Sequence, residues 1–295
     1  MTREAPVHLV DASLYVFRAW HSLPSDVFDA DGHPINAVHG FTRFLLELLE
    51  RTKATHIAIA FDEALTSCFR NTLYPAYKAN REQPPDELRY QFARCQEVAH
   101  ALGLTVMTHT EYEADDLIGS AVAALRPHRW HSVIISADKD FGQMVCDECS
   151  QWDYSRNLRW DAAGVKTRLG VHPHQVADYL ALMGDAIDNI PGVPGIGAKT
   201  AATLLHHYGS LDALLERSDE VAFLRFRGAA SIAVKLRQHA DLARLSRSLT
   251  GIALDAPVPL EMHQYERRAP ALAEIDDFLE RMKFGPMTRS RVRAL

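Results

Sequence analysis

The chain has 295 residues, a formal net charge of −6, and 47% hydrophobic against 24% charged side chains. That balance belongs to an ordinary globular protein, long enough for one large domain or two modest ones. No uncharged apolar run approaches the roughly 18 residues of a membrane span, and the N-terminus MTREAPVHLVDAS carries no long apolar segment. Neither a span nor a secretory signal is expected, and a cytoplasmic setting is.

In chain order, the first element is a strand at 7–10 (VHLV). A helix follows at 36–53, with apolar positions Val38, Phe41, Phe44, Leu45, Leu48 and Leu49, and then a strand at 57–61 (IAIAF). The stretch 63–87 is polar and irregular. It carries Arg70, Tyr74, Tyr77, Lys78 and Arg81 before Pro84-Pro85, and reads as a long excursion from the sheet. Helices are predicted at 88–102 and 114–125. In the second, Ala114, Leu117, Ile118, Ala121, Val122 and Leu125 hold the helical period. A third strand is expected at 133–137 (VIISA). The strands are short and nearly continuous in apolar residues, as in sheets buried on both faces, and their alternation with helices implies an α/β fold with a mainly parallel sheet. Beyond 172 the pattern is helical to the end, interrupted by PGVPGIG at 191–197. A domain boundary is therefore placed near 170–175.

Three of these strands run straight into an aspartate: Asp11, Asp62 and Asp138. Ligands of open parallel sheets gather at the carboxyl ends of the strands. Asp140, two residues past Asp138, can point the same way in extended chain. Glu113, Asp115 and Asp116 open the 114–125 helix, and Asp185 and Asp188 sit in GDAIDN before the Gly/Pro segment. Any one of these acids reads as a turn former or helix cap. Together on one edge they repel, by about 4 kcal/mol per pair at ~4 Å and a near-surface dielectric. Hard divalent cations with oxygen ligands relieve this, Mg²⁺ being usual at phosphate chemistry, and a two-metal site suits in-line displacement at phosphorus.

The segment GVPGIGAKT (192–200) spaces Gly192 and Gly197 as a P-loop does. Ala198 stands where a P-loop needs lysine, and no strand precedes the segment, so nucleotide hydrolysis is disfavoured. The alternative is a helix–hairpin–helix turn. There Gly192, Gly195 and Gly197 let a phosphate approach backbone N–H groups, with Lys199 and Thr200 adding donors. In the excursion, Lys78 and Arg81 would polarise the scissile phosphate and Tyr77 would stack on a base. Charge divides along the chain: residues 1–190 carry 17 Lys+Arg against 26 Asp+Glu, and 191–295 carry 15 against 12. Such a split suits a protein that holds cations in one half and phosphates in the other. The CxxC of Cys146 and Cys149 has no partner ligands at zinc spacing and reads as two ordinary thiols on a helix.

Six segments, LVDAS (9–13), AFD (60–62), FRNTLYPAYKANR (69–81), YEADDLIG (112–119), SADKDFGQ (136–143) and LMGDAIDNIPGVPGIGAKTA (182–201), resemble in order the 5′-nuclease superfamily. That superfamily comprises the 5′–3′ exonuclease domain of bacterial DNA polymerase I, phage 5′ exonucleases and flap endonucleases. The resemblance implies a PIN-like (resolvase-like) catalytic domain over 1–172 with a helical arch at 63–95. It also implies a helix–three-turn–helix DNA-binding region over 173–295, centred on 182–208. It assigns Asp11, Asp62, Glu113, Asp115 and Asp116 to a first metal group and Asp138, Asp140, Asp185 and Asp188 to a second. Lys78 and Arg81 become the arch cations, and the carbonyls near Leu182, Met183, Pro191, Val193 and Ile196 the ligands of a K⁺ ion; Arg70, in the same excursion as Tyr77, is expected to contact DNA with it. The implied enzyme is a monomer that uses two Mg²⁺, or Mn²⁺ in their place, to cleave DNA at 5′ flaps, nicks and 5′ ends in replication and repair, leaving 5′-phosphate and 3′-hydroxyl. Ala12 stands where the family often has glycine. Two other readings stay open: a structure-specific DNA-binding module without catalysis, and a PIN-type ribonuclease, which leaves the 182–208 module without a role.

Overall fold

The computed structural model describes residues 5–63 and 68–295. Six strands, β1 (Val7–Asp11), β2 (His56–Ala60), β3 (Thr105–Met107), β4 (Ser132–Ile135), β5 (Cys149–Asp153) and β6 (Leu158–Trp160), form one sheet in the order β3-β2-β1-β4-β5-β6. All neighbours run parallel except the terminal β5–β6 hairpin. The period-two geometry of a strand sends alternate side chains to opposite faces. Ile57, Ile59, Val133 and Ile135 enter a core shared with the helix Asn36–Thr52, while Ala58, Ala60 and Ile134 meet the helix Ala114–Leu125 on the other face. This two-sided burial is why the strands read as continuous apolar runs. From β1 the chain steps outward to β2 and β3, then returns to place β4 on the opposite flank of β1. The carboxyl end between β1 and β4 is therefore the topological switch point, where such sheets form a crevice.

The expected strands and helices are present with ends shifted by a residue or two. Several elements lay outside the sequence reading: the helix Ala12–Ser22, β3, and the β5–β6 hairpin. Cys146 and Cys149 are not on a helix as expected. They face each other across an antiparallel bridge at the start of β5, and both are free thiols. The arch expected over 63–95 is only partly an excursion. A short helix, Phe69–Leu73, and turns through residue 80 leave the sheet. The helix Asp86–Ala101 instead buries Leu88, Phe92, Cys95 and Val98 in the main core. Residues 64–67 of the expected arch lie outside the described residues.

Helices Val176–Met183, Ala198–Tyr208, Leu211–Glu216, Ala229–Gln238 and Ala240–Thr250 enclose a second core around Leu180, Leu204, Leu214, Leu236 and Ala243. The helical region was expected to continue to residue 295, but the chain turns back after Thr250. Ile252 and Tyr265 pack beside the helix Ala114–Leu125, and Ile275, Phe278, Leu279 and Val292 complete the core under the helix Asn36–Thr52. Among the described residues no helix is long and apolar enough to cross a membrane.

Candidate metal centre

Asp11 is the last residue of β1 and caps the next helix, its carboxylate accepting from Leu14 N–H at 3.4 Å and from the Ser136 hydroxyl at 2.8 Å. Asp62 follows β2; its N–H donates to the Ser13 hydroxyl at 3.0 Å, and its carboxylate accepts from Ala114 N–H at 2.7 Å. Asp138 lies just past β4 and accepts from Asp140 N–H at 3.0 Å. Burial, with the charges of Asp62 and Asp138, pushes the Asp11 carboxyl up to about 7. The three strand-end acids thus share one electrostatic field at the switch point. Ser13 and Ser136, which fix two of them, gave no signal of their own in the sequence.

Glu113 and Asp116 open the helix Ala114–Leu125, where the helix dipole favours negative charge. Both are buried, and Arg70 lies with them, only 1% exposed. Its guanidinium donates to both Asp116 oxygens at 2.7 Å and to Glu113 at 3.1 Å, and also to the carbonyls of Leu249 and Gly251, each at 2.9 Å. Asp116 further accepts from the N–H groups of Glu113 and Ala253. The DNA contact expected of Arg70 is thereby corrected: its donors are spent on buried acids and carbonyls. Tyr77 is corrected likewise. Its ring is buried, and its hydroxyl donates to Glu113 at 2.9 Å, so no face is free for a base. Lys78 makes an ion pair with the other Glu113 oxygen. Burial raises the Glu113 carboxyl, but Lys78 and Arg70 hold it below the usual range. One oxygen each of Glu113, Asp115 and Asp116 lie within 4.8 Å of one another. Burial and the Asp116 charge push Asp115 well above the ordinary carboxylate range.

The second set closes the crevice from the helical side. Burial and the Asp138 charge push Asp140 up to about 8, and its Oδ1 is buried without a hydrogen-bond partner among the described residues. Asp185 accepts from Lys139 at 2.6 Å and from Ile187 N–H at 2.9 Å. Asp188 is ion-paired to Arg81. The excursion docks on this turn: Lys78 N–H donates to the Asp188 carbonyl at 2.9 Å, Asn80 to Ala186 at 3.0 Å and Asn189 to Ala76 at 2.7 Å. Lys78 takes a left-handed backbone (φ 53) in making that contact. A cavity of about 670 Å³ opens onto Asp62, Lys78, Arg81 and Glu113, walled on its apolar side by Phe17 and Trp20.

Four of the nine acids, Glu113, Asp116, Asp185 and Asp188, are neutralised by basic side chains. Asp11, Asp62, Asp115, Asp138 and Asp140 make no ion pair among the described residues. Five such carboxylates around one crevice, one with an orphaned buried oxygen, form an all-oxygen donor set. That chemistry fits hard divalent cations, and no histidine or cysteine enters it.

Beside the centre, the segment 184–197 joins Val176–Met183 to Ala198–Tyr208. It follows a helix, not a strand, as the rejection of a P-loop requires. Gly184 and Gly192 pack back to back, and a Cβ on Gly192 would lie 2.5 Å from Gly184 N. Gly192 is buried, with its N–H on the Ser246 hydroxyl at 3.1 Å, so its expected DNA contact is corrected to a packing role. Gly195, Gly197 and Lys199 are exposed and Thr200 is partly so. Of the carbonyls assigned to K⁺, Leu182 accepts from Val193 N–H at 2.9 Å and Val193 from Ile196 N–H at 3.0 Å. Those of Pro191 and Ile196 lie on the same hairpin, and Met183 ends the helix before it.

A family model described as 5′-3′ exonuclease, N-terminal resolvase-like domain, matches residues 6–170, and one described as 5′-3′ exonuclease, C-terminal SAM fold, matches 171–273. The chain is 37% identical over 288 residues to DNA polymerase I of Rhizobium leguminosarum and 40% over 264 residues to DNA polymerase I of Pseudomonas aeruginosa. These matches cover 95% and 88% of this chain but 28% of each relative, so the chain spans little more than a quarter of their length. Among solved structures, T5 5′-exonuclease with divalent metal ions (zinc) bound aligns at TM-score 0.69 and 20% identity, over 97% of this chain and 98% of that one. The catalytic core of Rad2 in complex with DNA substrate aligns at 0.66 and 14%, over 98% and 92%. At such identities these two show a shared fold. Sheet order, acidic crevice and family models agree, and the chain belongs to the 5′-3′ exonuclease family.

Proposed function

We propose that the chain is a structure-specific 5′–3′ exonuclease and flap endonuclease. It would hydrolyse DNA phosphodiester bonds at 5′ ends, nicks and flaps, leaving 5′-phosphate and 3′-hydroxyl termini. The observation that carries this reading is the crevice at the β1–β4 switch point, where Asp11, Asp62, Asp115, Asp138 and Asp140 stand without ion-pair partners among the described residues. We assign two Mg²⁺ ions, replaceable by Mn²⁺, to this crevice. Asp11, Asp62, Glu113, Asp115 and Asp116 serve one group and Asp138, Asp140, Asp185 and Asp188 the other. Asp116, with both oxygens engaged by Arg70, acts chiefly by orienting Glu113 and Asp115. When bound, such ions neutralise the scissile phosphate and bring the pKa of a water toward neutrality.

The chain's own groups do the rest. Lys78 and Arg81, at the mouth of the cavity, are placed to shift from Glu113 and Asp188 onto the phosphate and stabilise its developing charge. Tyr77 holds Glu113 in register. Gly195, Gly197, Lys199 and Thr200 offer donors to the duplex backbone, away from the acids, so the net negative charge does not oppose binding there. A K⁺ ion among the hairpin carbonyls would add positive charge at the same place; duplex affinity higher in KCl than in NaCl of equal strength supports it, and equal affinity removes it. In this reading 1–172 is the catalytic unit and the DNA-binding region begins at 173, with 252–295 folded back on the former. The test is a gel assay on labelled flap, nicked, blunt and single-stranded DNA, and on an RNA flap, with Mg²⁺ and with chelator. Cleavage of the DNA flap that chelator abolishes is expected. RNA cut in preference to DNA would favour a PIN-type ribonuclease, and binding without cleavage in Mg²⁺ or Mn²⁺ a non-catalytic module.

A further inference from the structure

Phe223 is 86% exposed, more than any other large hydrophobic residue described. It begins a five-residue alternation, Phe223-Leu224-Arg225-Phe226-Arg227. Leu224 and Phe226 pack against the helical core, while Phe223, Arg225 and Arg227 are exposed. The turn is pinned from within: Leu224 N–H donates to the Val221 carbonyl at 3.1 Å, Phe226 to Leu224 at 3.0 Å and Ala229 to Phe226 at 3.3 Å. The outward trio is therefore presented by a fixed backbone. Its charges are also uncompensated. The nearby Arg217, Arg237, Arg244 and Arg247 are ion-paired with Glu220, Asp219, Asp241 and Asp178. Arg225 and Arg227 make no ion pair among the described residues.

An exposed aromatic ring beside two unpaired arginines matches a sugar–phosphate backbone, whose charges meet arginine and whose sugar carbons meet a ring. Its position fits the same partner. The trio immediately precedes the helix Ala229–Gln238, and on that helix the Lys235 ammonium lies over Gly195 of the hairpin. From residue 228 to Lys235 is about 10 Å along a helix axis at 1.5 Å per residue, the axial rise of about three base pairs of a duplex at about 3.4 Å each. We infer that Phe223, Arg225 and Arg227 form a second contact for the duplex held by the hairpin, on the side of the helix Ala229–Gln238 away from Gly195. The arginines bind phosphates and the ring covers a neighbouring deoxyribose. This rests on the reading of the chain as a DNA-binding nuclease and adds to it a surface that fixes the duplex axis.

The test is fluorescence anisotropy of a 5′-flap duplex in EDTA across a salt series. Arg225→Ala with Arg227→Ala should lower the slope of log K against log salt by about 1.8, two phosphates at about 0.9 each. Phe223→Ala should weaken binding about tenfold with the wild-type slope, and Phe223→Tyr should restore it. All three side chains are exposed, so the thermal midpoint should stay at the wild-type value. Wild-type affinity and slope in both alanine variants, with the parent protein binding tightly, would overturn the contact and leave the functional reading intact. A parent protein that does not bind the flap overturns both.

Discussion

At the residue scale, three of the acids were legible because chemistry and position coincide: Asp11, Asp62 and Asp138 each stand at or just past the end of an apolar strand, and strand ends converge in a parallel sheet. The roles of Arg70 and Tyr77 were not legible. Both lie in a polar segment that reads as a basic loop, and their partners are far away in sequence, Glu113 and Asp116 at separations of 36 to 46 residues and Leu249 at 179. Burial by distant chain leaves no local pattern. Arg70 is a clamp that ties the acidic helix to the end of the helical region. Arg70→Met should cost about 3–5 kcal/mol in urea unfolding, since it strands buried carboxylates; a loss under 1 kcal/mol would contradict the clamp. His8 gives a second prediction. Burial, with the Arg159 charge, lowers its imidazole from 6.5 to about 4. A histidine depressed by folding stays neutral while the unfolded chain takes up a proton. Its contribution is nil above pH 6.5 and becomes destabilising as pH falls toward 4, by up to about 3 kcal/mol. Against the parent protein, His8→Val should flatten urea stability between pH 7 and 4.5; an unchanged slope would exclude His8 as the cause.

At the element scale, period and punctuation carried the strands, the helix Ala114–Leu125 and the hairpin at 184–197. They did not separate the two halves of the excursion, because the helix Asp86–Ala101 owes its burial to packing against Asn36–Thr52, not to its own sequence; Gln91, for instance, accepts from Ala37 N–H at 2.7 Å. The hairpin turns on close backbone contact at Gly184 and Gly192. Gly192 has φ +64, and a Cβ there would lie 2.5 Å from Gly184 N. Gly192→Ala should therefore cost about 1–3 kcal/mol of stability and weaken flap binding with it. Gly197, an N-cap with φ −97 and nothing within 4 Å of a Cβ, should accept alanine with under 1 kcal/mol lost. Urea titration of both variants checks the pair, and equal losses would refute the close-contact argument.

At the scale of the whole molecule, the charge split suggested a division of labour, and the path of the last 44 residues was hidden. Helical patterns recur after 172, and nothing in them says which core a helix joins. The structure returns 252–295 to the N-terminal core, where Phe278 is fully buried on a helix packed against Asp86–Ala101. Phe278→Ala should cost about 3–5 kcal/mol and lower the melting of the sheet domain, although the residue lies over 260 positions from β1. A melting midpoint within 1 °C of the parent would show that the C-terminal helices are dispensable to that core.

The molecule as a whole is read as holding DNA by its hairpin and basic surfaces while a separate acidic crevice supports the chemistry. Measuring binding and cleavage together, for the parent protein and Asp138→Ala, on one 5′-flap duplex tests that separation most directly. Mg²⁺-dependent cleavage by the parent is expected, none by Asp138→Ala, and flap affinities within about threefold of each other in EDTA. Cleavage by Asp138→Ala at the parent's rate would contradict this reading.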